Sequence, residues 1–542
     1  MSTTSSPAGA GETRAPADGD VPMEHRQIMS ALGGLLLGMF VAMISSTIVT
    51  NALPKIISDL DAGQNAYTWV VTAALLAMTA STPLWGKLAD LVSKKMLVQL
   101  ALVIFLAASL GAGLSQNVGT LIFFRALQGI GTGGLTALVQ IVMAALISPR
   151  ERGRYSGYIG ATIAVATVAG PLMGGAIVDA SWLGWRWCFY IGVPFAAIAF
   201  AVVQRTLRLP VVKRDVKVDW AGAFFMSAAV SLLLIWVTFA GDKFDWASWQ
   251  TAVMTGGALL LGLVFVLVET RASEPIIPLR LFRNATITLA SVASLFVGVG
   301  MFAGSIFLSQ YFQMARGETP TMAGLMTIPL IGGLALSSTF SGLIITRTGQ
   351  WKIWLVSGGA LVTAGLGLLG TIRVDTPYWR TACFMALVGL GVGMMMQNLV
   401  LATQNQVDQR DLGAASSTVS FFRSLGGAAG VAALGAMLGT RVTHYMADGL
   451  KGLGVTGTGS AGGSIPDLDA LPAPVRAVVE SAYGHGVADT FLYAAPLSLV
   501  ALVLVLFIKE VPLRGGTGQA AAVRKGEPAP APAQAEEPQP QR

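Results

Sequence analysis

About fourteen stretches of this chain are apolar over a length that can cross a bilayer, and that constraint outranks every other. They fall near 28–50, 66–86, 96–115, 119–145, 154–178, 187–206, 220–240, 250–269, 285–312, 322–345, 353–371, 380–403, 413–438 and 488–508. The reading is an all-α integral membrane protein. Of 542 residues, 54% are hydrophobic and 12% charged, against roughly 25% charged in soluble domains, and mean hydropathy is +0.66. Sixty-four glycines in such a background suit close-packed membrane helices.

The formal charge of +7 would point to nucleic acid in a soluble protein. Here the basic residues cluster between apolar runs and signal orientation, so no nucleic-acid partner is expected. Lys87, Lys94 and Lys95 follow the second run, and Arg150, Arg152 and Arg154 the fourth. Arg205, Arg208, Lys213, Arg214 and Lys217 follow the sixth, and Arg271, Arg280 and Arg283 the eighth. The intervening loops carry fewer, as at Asp242-Lys243-Asp245. The basic side is then cytoplasmic, with both termini inside and a cell membrane crossed many times.

The expected organisation is a polar cytoplasmic tail over 1–27 and a six-helix half over 28–206. A linker over 207–284 adds two membrane helices. A second six-helix half spans 285–510 and includes an outer loop at 439–487; a disordered cytoplasmic tail fills 511–542. Neither loop nor tail is given a binding role. The N-terminal tail lacks the apolar core of a cleavable signal peptide, so insertion is expected to use the first helix. Cys188 and Cys383 are far apart and offer neither a disulfide framework nor metal-ligand spacing. No metal and no other cofactor is expected. His25, His444 and His485 lie in polar regions and build no catalytic constellation, and no Gly-x4-Gly-Lys-Ser/Thr loop is apparent. Enzymes and intrinsically ATP-driven pumps are therefore disfavoured.

Three segments carry chemistry. Gly86-Lys87-Leu88-Ala89-Asp90-Leu91-Val92-Ser93-Lys94-Lys95 joins the second and third helices. Gly86 permits a tight helix end, Asp90 supplies an anion for backbone donors or helix dipoles, and the lysines offer cationic partners. It reads as a charged latch for a moving bundle, or as a plain turn with topogenic lysines. A degraded copy lies about 256 residues on, at Gly342, Arg347, Gly349 and Lys352, with Thr346 for the Asp; two similar halves would space it so. In the fourth helix, Arg125 is an expensive membrane charge that faces protein or a cavity, or else snorkels to the outer interface. Gln128 is about one turn away, and Gly129 and Gly131 allow close packing. In the fifth, Gly170-Pro171-Leu172-Met173-Gly174-Gly175 places a Pro and small residues inside an apolar run, with Gly157 near its start. That is a hinge, or an ordinary kinked membrane helix.

These segments resemble signatures of the major facilitator superfamily, and together they are similar to its fourteen-helix drug:proton antiporter family of multidrug efflux permeases. Ser93 stands where the loop signature has Gly, and Ala166 where the antiporter motif of the fifth helix has Gly. Ser45 to Pro54 resembles the first-helix signature, with Ser45 for its usual Asp and Thr50 for its Asn; Trp185 to Pro194 resembles another, with Gly192 for its Asn. The resemblance implies the major facilitator fold, two six-helix halves plus two extra helices, and alternating access. It also implies export of amphipathic drugs or antibiotics in exchange for protons, and it associates Arg125 with proton transfer. With Ser45 in place of Asp the proton carrier is not visible; Asp179, Asp489 and Glu269 are the nearest carboxylates besides Asp90.

A substrate lining is expected from Ser45, Thr47, Trp69, Thr72, Gln310, Tyr311, Gln397, Asn398, Phe422 and Arg423, with Met394-Met395-Met396 as adaptable surface. Such a lining suits a small amphipathic substrate, although each residue taken singly also suits helix or lipid packing. Exporters of lipid or cell-envelope precursors, and importers on the same fold, remain alternatives. The oligomeric state is open, a monomer being consistent with all of this.

Overall fold

A computed structural model describes residues 25–60, 64–147, 149–180, 184–207, 219–240, 243–408, 411–452 and 472–513. The tails expected at either end, and the middle of the 439–487 loop, thus lie largely outside the described residues. So do the side chains of Thr50, Pro54, Arg150, Arg154, Pro171, Gly175 and Asp179.

Among the described residues, fourteen helices are long and apolar enough to cross a membrane. The first half contains α1 His25–Asp59, α2 Gln64–Leu91, α3 Lys94–Gly113, α4 Val118–Leu146, α5 Pro149–Asp179 and α6 Gly192–Thr206. Two further helices follow, α7 Trp220–Phe239 and α8 Trp249–Arg271. The second half contains α9 Ala285–Gln310, α10 Ile328–Thr348, α11 Lys352–Leu369, α12 Tyr378–Gln404, α13 Leu412–Gly452 and α14 Ala473–Phe507. The sequence marks many of the starts with side chains that satisfy first-turn N–H groups. Asn117, Asp219, Ser248 and Asn284 accept from Thr120, Gly222, Thr251 and Thr286.

The ends of α13 and α14 depart from the expected loop at 439–487. Helix continues to Gly452 and resumes at Ala473, so both flanks of that segment are helical. Apolarity marks where a helix lies in hydrocarbon, whereas helix propensity continues through Arg441–Lys451 and Val475–Val479, where polar groups can meet water.

Buried apolar side chains gather into separate cores for the two halves. Leu32, Leu102, Phe105 and Leu138 belong to the first, and Phe307, Leu366, Met395 and Phe491 to the second. Between the halves, α2 lies along α13 and α5 along α10. The two additional helices sit on the α2–α13 side: α7 packs on both, and α8 packs on α7. Little of α8 is buried, with Leu259 76% exposed, as fits a helix that turns most of its surface to lipid.

Candidate functional site

The expected latch joins the two halves. At the foot of α2, Asp90 Oδ1 accepts the Gly413 N–H at 2.9 Å and Oδ2 the Ala414 N–H at 2.8 Å. Both donors belong to the first turn of α13, where N–H groups lack intrahelical partners and the helix dipole favours an anion. The carboxylate of one half thereby caps a helix of the other with two charge-assisted hydrogen bonds. The role expected of Gly86 changes, because it lies inside α2 rather than at a helix end. A Cβ there would overlap the Ser417 side chain, and a Cβ on Gly413 would overlap Gly86 O and Asp90. The two glycines let α2 and α13 touch backbone to backbone, which is what brings Asp90 within reach.

Two of the three lysines hold other partners. Lys95 Nζ donates to Gln204 O at 2.7 Å, within the first half. Lys87, which sequence reading treated as topogenic, is buried and pairs with Glu274 of the α8–α9 connection at 2.5 Å. Other contacts reinforce the seam on the same face. Arg152 Nη1 donates to Gln404 Oε1 at 2.9 Å, while its Nε and Nη2 hold Ile147 O and Ala144 O at the end of α4. Burial draws the Arg152 pKa down to about 10, so the side chain keeps its charge at neutral pH. About two turns deeper along α12, Gln140 Nε2 donates to Gln397 Oε1 at 2.9 Å, both side chains being buried.

Arg125 is 3% exposed, which answers the snorkelling alternative: it faces protein. Its Nη1 donates to Gln128 Oε1 at 2.6 Å and its Nε to Val70 O at 3.4 Å. Gln128 Nε2 in turn donates to Ser45 Oγ at 3.1 Å and Ser109 Oγ at 2.9 Å. One polar node therefore ties α1, α2, α3 and α4, and Ser45 is a member of it. A carboxylate at position 45 would meet this same node, so the residue that departs from the resembling signature sits beside the buried charge.

The glycines of α5 serve two contacts. A Cβ on Gly170 would overlap Thr47 Oγ1, and one on Gly174 would stand 3.1 Å from Ile48 O, so that end of the motif fits α1. Gly157 instead faces α10, 2.7 Å from Thr339 Oγ1 by the same measure. Thr47 bonds within α1 to Ile44 O at 2.9 Å and reaches Ala166 O at 3.4 Å.

Most of the residues expected to line a cavity have packing or hydrogen-bond partners among the described residues. Trp69 stacks obliquely on Phe239 of α7, with ring centroids 5.3 Å apart. Thr72 and Gln310 are half-buried. Tyr311 donates to Arg373 O at 2.8 Å, beside a loop. Asn398 donates to Met394 O at 2.7 Å and to Ser341 at 3.4 Å. Phe422 packs edge-on against Phe282 and Phe421. Arg423 keeps a buried Nη1 with no hydrogen-bond partner among the described residues. A small cavity where α5 meets α9, α10 and α12 is lined by Thr167, Met301, Ser305, Ile331, Leu334 and Val392. Its volume of about 40 Å³ admits a water or two, not a drug. Nothing in the local pattern of these mostly aliphatic residues distinguishes them from packing.

Comparison with known proteins agrees with this architecture. The profile of the Major Facilitator Superfamily matches residues 35–431. A protein of Bacillus subtilis described as multidrug transporter protein MdtP is 36% identical over 440 residues, 81% of this chain and 78% of that one. The efflux pump dotC of Dothistroma septosporum is 33% identical over 496 residues, 90% of this chain and 84% of its own. Among solved structures, the proton:xylose symporter XylE superposes with a TM-score of 0.61 over 91% of this chain and 98% of its own. The human organic anion transporter MFSD10 does so at 0.60 over 88% and 99%. Both are 14% identical and bear on the fold alone.

Proposed function

The chain belongs to the Major Facilitator Superfamily, and on that premise we propose that this multi-pass membrane transporter exports amphipathic drugs or antibiotics in exchange for protons. It is a transporter rather than an enzyme, and the relatives named for multidrug transport and efflux support the substrate class. The basic face is cytoplasmic, with both chain ends inside the cell membrane.

The observation that carries the reading is the capping of α13 by Asp90. Around it the basic face is sealed by Gln140–Gln397 and Arg152–Gln404. Breaking the cap frees α2 from α13 and opens the cytoplasmic side; restoring it seals that side while the halves rock apart at the other. Arg125 acts as a fixed buried charge, and Gln128 and Ser45 orient around it. The α5 glycines let α1 and α10 slide over one helix.

Transport of dye or antibiotic into inverted membrane vesicles under an imposed pH gradient tests the proposal. Uptake should collapse with a protonophore and be lost in Arg125→Ala at normal membrane levels. Uptake indifferent to the gradient would remove proton exchange, and no uptake across a broad panel of drugs would remove multidrug export.

A further inference from the structure

At the foot of the two additional helices, two carboxylates meet over bare backbone. Asp219 Oδ1 caps α7 by accepting the Gly222 N–H at 2.8 Å, leaving Oδ2 buried without a hydrogen-bond partner. Glu269, near the end of α8, is 3% exposed. Its Oε1 accepts the Ile276 N–H at 3.0 Å, and its Oε2 is likewise buried and unpartnered. A Cβ on Gly222 would overlap Asp219 Oδ2 and stand 2.9 Å from Glu269 Oε1, so only a glycine leaves room for both side chains. Beside the pair, Lys87 of α2 is tied to Glu274. Arg271 lines a surface pocket with Asp219, which gives the pair a route to water. Lys217 and its basic neighbours lie outside the described residues.

A buried carboxylate oxygen without a donor is costly, and a second carboxylate nearby adds to the cost of a charge on Glu269. Something positive belongs between them. A divalent cation calls for six or more oxygens, or a compact group of protein ligands. No group of three or more acidic, histidine or cysteine side chains that could hold a metal forms among the described residues. A proton on Glu269 removes the charge of the more deeply buried carboxylate, and Asp219 is the negative neighbour that favours holding it there.

We propose that Glu269, with Asp219 beside it, is a proton-binding site whose occupancy governs the seal between α2 and α13 through Lys87 and Glu274. This rests on reading the Asp90 contact as a gate. With the proton bound, the pair carries one negative charge and Lys87 stays with Glu274, holding the foot of α2 in place. Loss of the proton adds a second negative charge beside Lys87, which competes with Glu274 for it. Lys87 follows Gly86 directly, so its movement pulls on the backbone contact that lets Asp90 reach α13. Low pH at this site therefore favours the sealed state, and high pH releases it.

The test uses the full chain in lipid nanodiscs, with Cys383→Ser and spin labels on Met96→Cys and Thr348→Cys, two exposed positions on the gate face. In this background the separated population should grow roughly threefold between about pH 6 and about pH 9. Glu269→Gln and Asp219→Asn should each hold the low-pH distribution throughout. A titrating protonated-carboxyl band in the infrared spectrum should vanish in Glu269→Gln. A pH response unchanged in both variants would overturn the proposal, as would the lack of any such band in the unsubstituted protein. Asp90→Asn separates the two readings. If it leaves the labels at their sealed distance, the gate itself is wrong; if it opens them while the pair variants titrate normally, only the pair is wrong.

Discussion

The segment Gly86–Lys95 and its partial repeat Gly342–Lys352 turn the chain at the same face of the two halves, yet they use a carboxylate differently. In the first, Asp90 caps α13 across the interface. In the second, Thr346 stands at the matching place and its hydroxyl bonds Gly342 O within α10. The helix that starts there, α11, is capped from inside its own half: Glu510 accepts the N–H groups of Trp351 and Lys352 at 2.9 and 3.2 Å. Backbone demands differ as well. Gly349 ends α10 at φ 77°, in the left-handed region, whereas Ser93, the matching residue of the first copy, sits at φ −57°. A single sequence signature therefore bundles two jobs, stopping a helix and capping a helix of the other half. Each copy here keeps the one its place requires.

Substitutions can break that division of labour. The largest effect is expected from Asp90→Asn, which puts an amide N–H against an N–H of α13. Losing a charged acceptor of this kind costs about 1.5–3 kcal/mol, so export should fall at least tenfold while membrane insertion is retained. Gly413→Ala should come next. Its methyl cannot fit without parting α2 from α13, so transport should drop severalfold, and a cysteine cross-link between the two helices should form more slowly. Gly349→Ala strains a left-handed residue by roughly 1–2 kcal/mol; it should lower the melting temperature by a few degrees and leave transport near normal. Ser93→Gly should matter least. It gives up a long N-cap bond of 3.5 Å, worth a few tenths of a kcal/mol, and both transport and melting should stay close to the parent. A large transport loss in Gly349→Ala, or none in Asp90→Asn, would erase the contrast between the copies.

How much of this could be read from the chain depends on how local the physics is. Bilayer thickness imposes a length on every apolar run, so all fourteen spans are visible without a partner. The flanks of 439–487 are not, because helices that leave hydrocarbon keep propensity but lose the apolar signal. Asp90 and Arg125 stand out as charges in unusual company. Their partners do not: Gly413 and Ala414 lie more than 300 positions away from Asp90 and look like ordinary small residues. Arg152 is legible only as an orientation signal, and Lys87 as that or as a loop cation, since a lysine or arginine at a membrane edge looks the same whether it faces water or clamps α12 and the α8–α9 connection. The small cavity beside α5 escaped for a related reason. Aliphatic side chains line it, and an aliphatic side chain announces burial without saying against what.

One helix connects the sealed face to the far side. α13 holds the Asp90 contact in its first turn and runs unbroken for 41 residues, about 60 Å of helix against a hydrocarbon thickness of about 30 Å. Its distal end carries the solvent-exposed His444 and Asp448. A rod of that length is a lever with its load at one tip: a tilt of about 10° displaces the other tip by roughly 10 Å. If the Asp90 contact is the gate, its release is felt at the far end of the same helix, around His444 and Asp448.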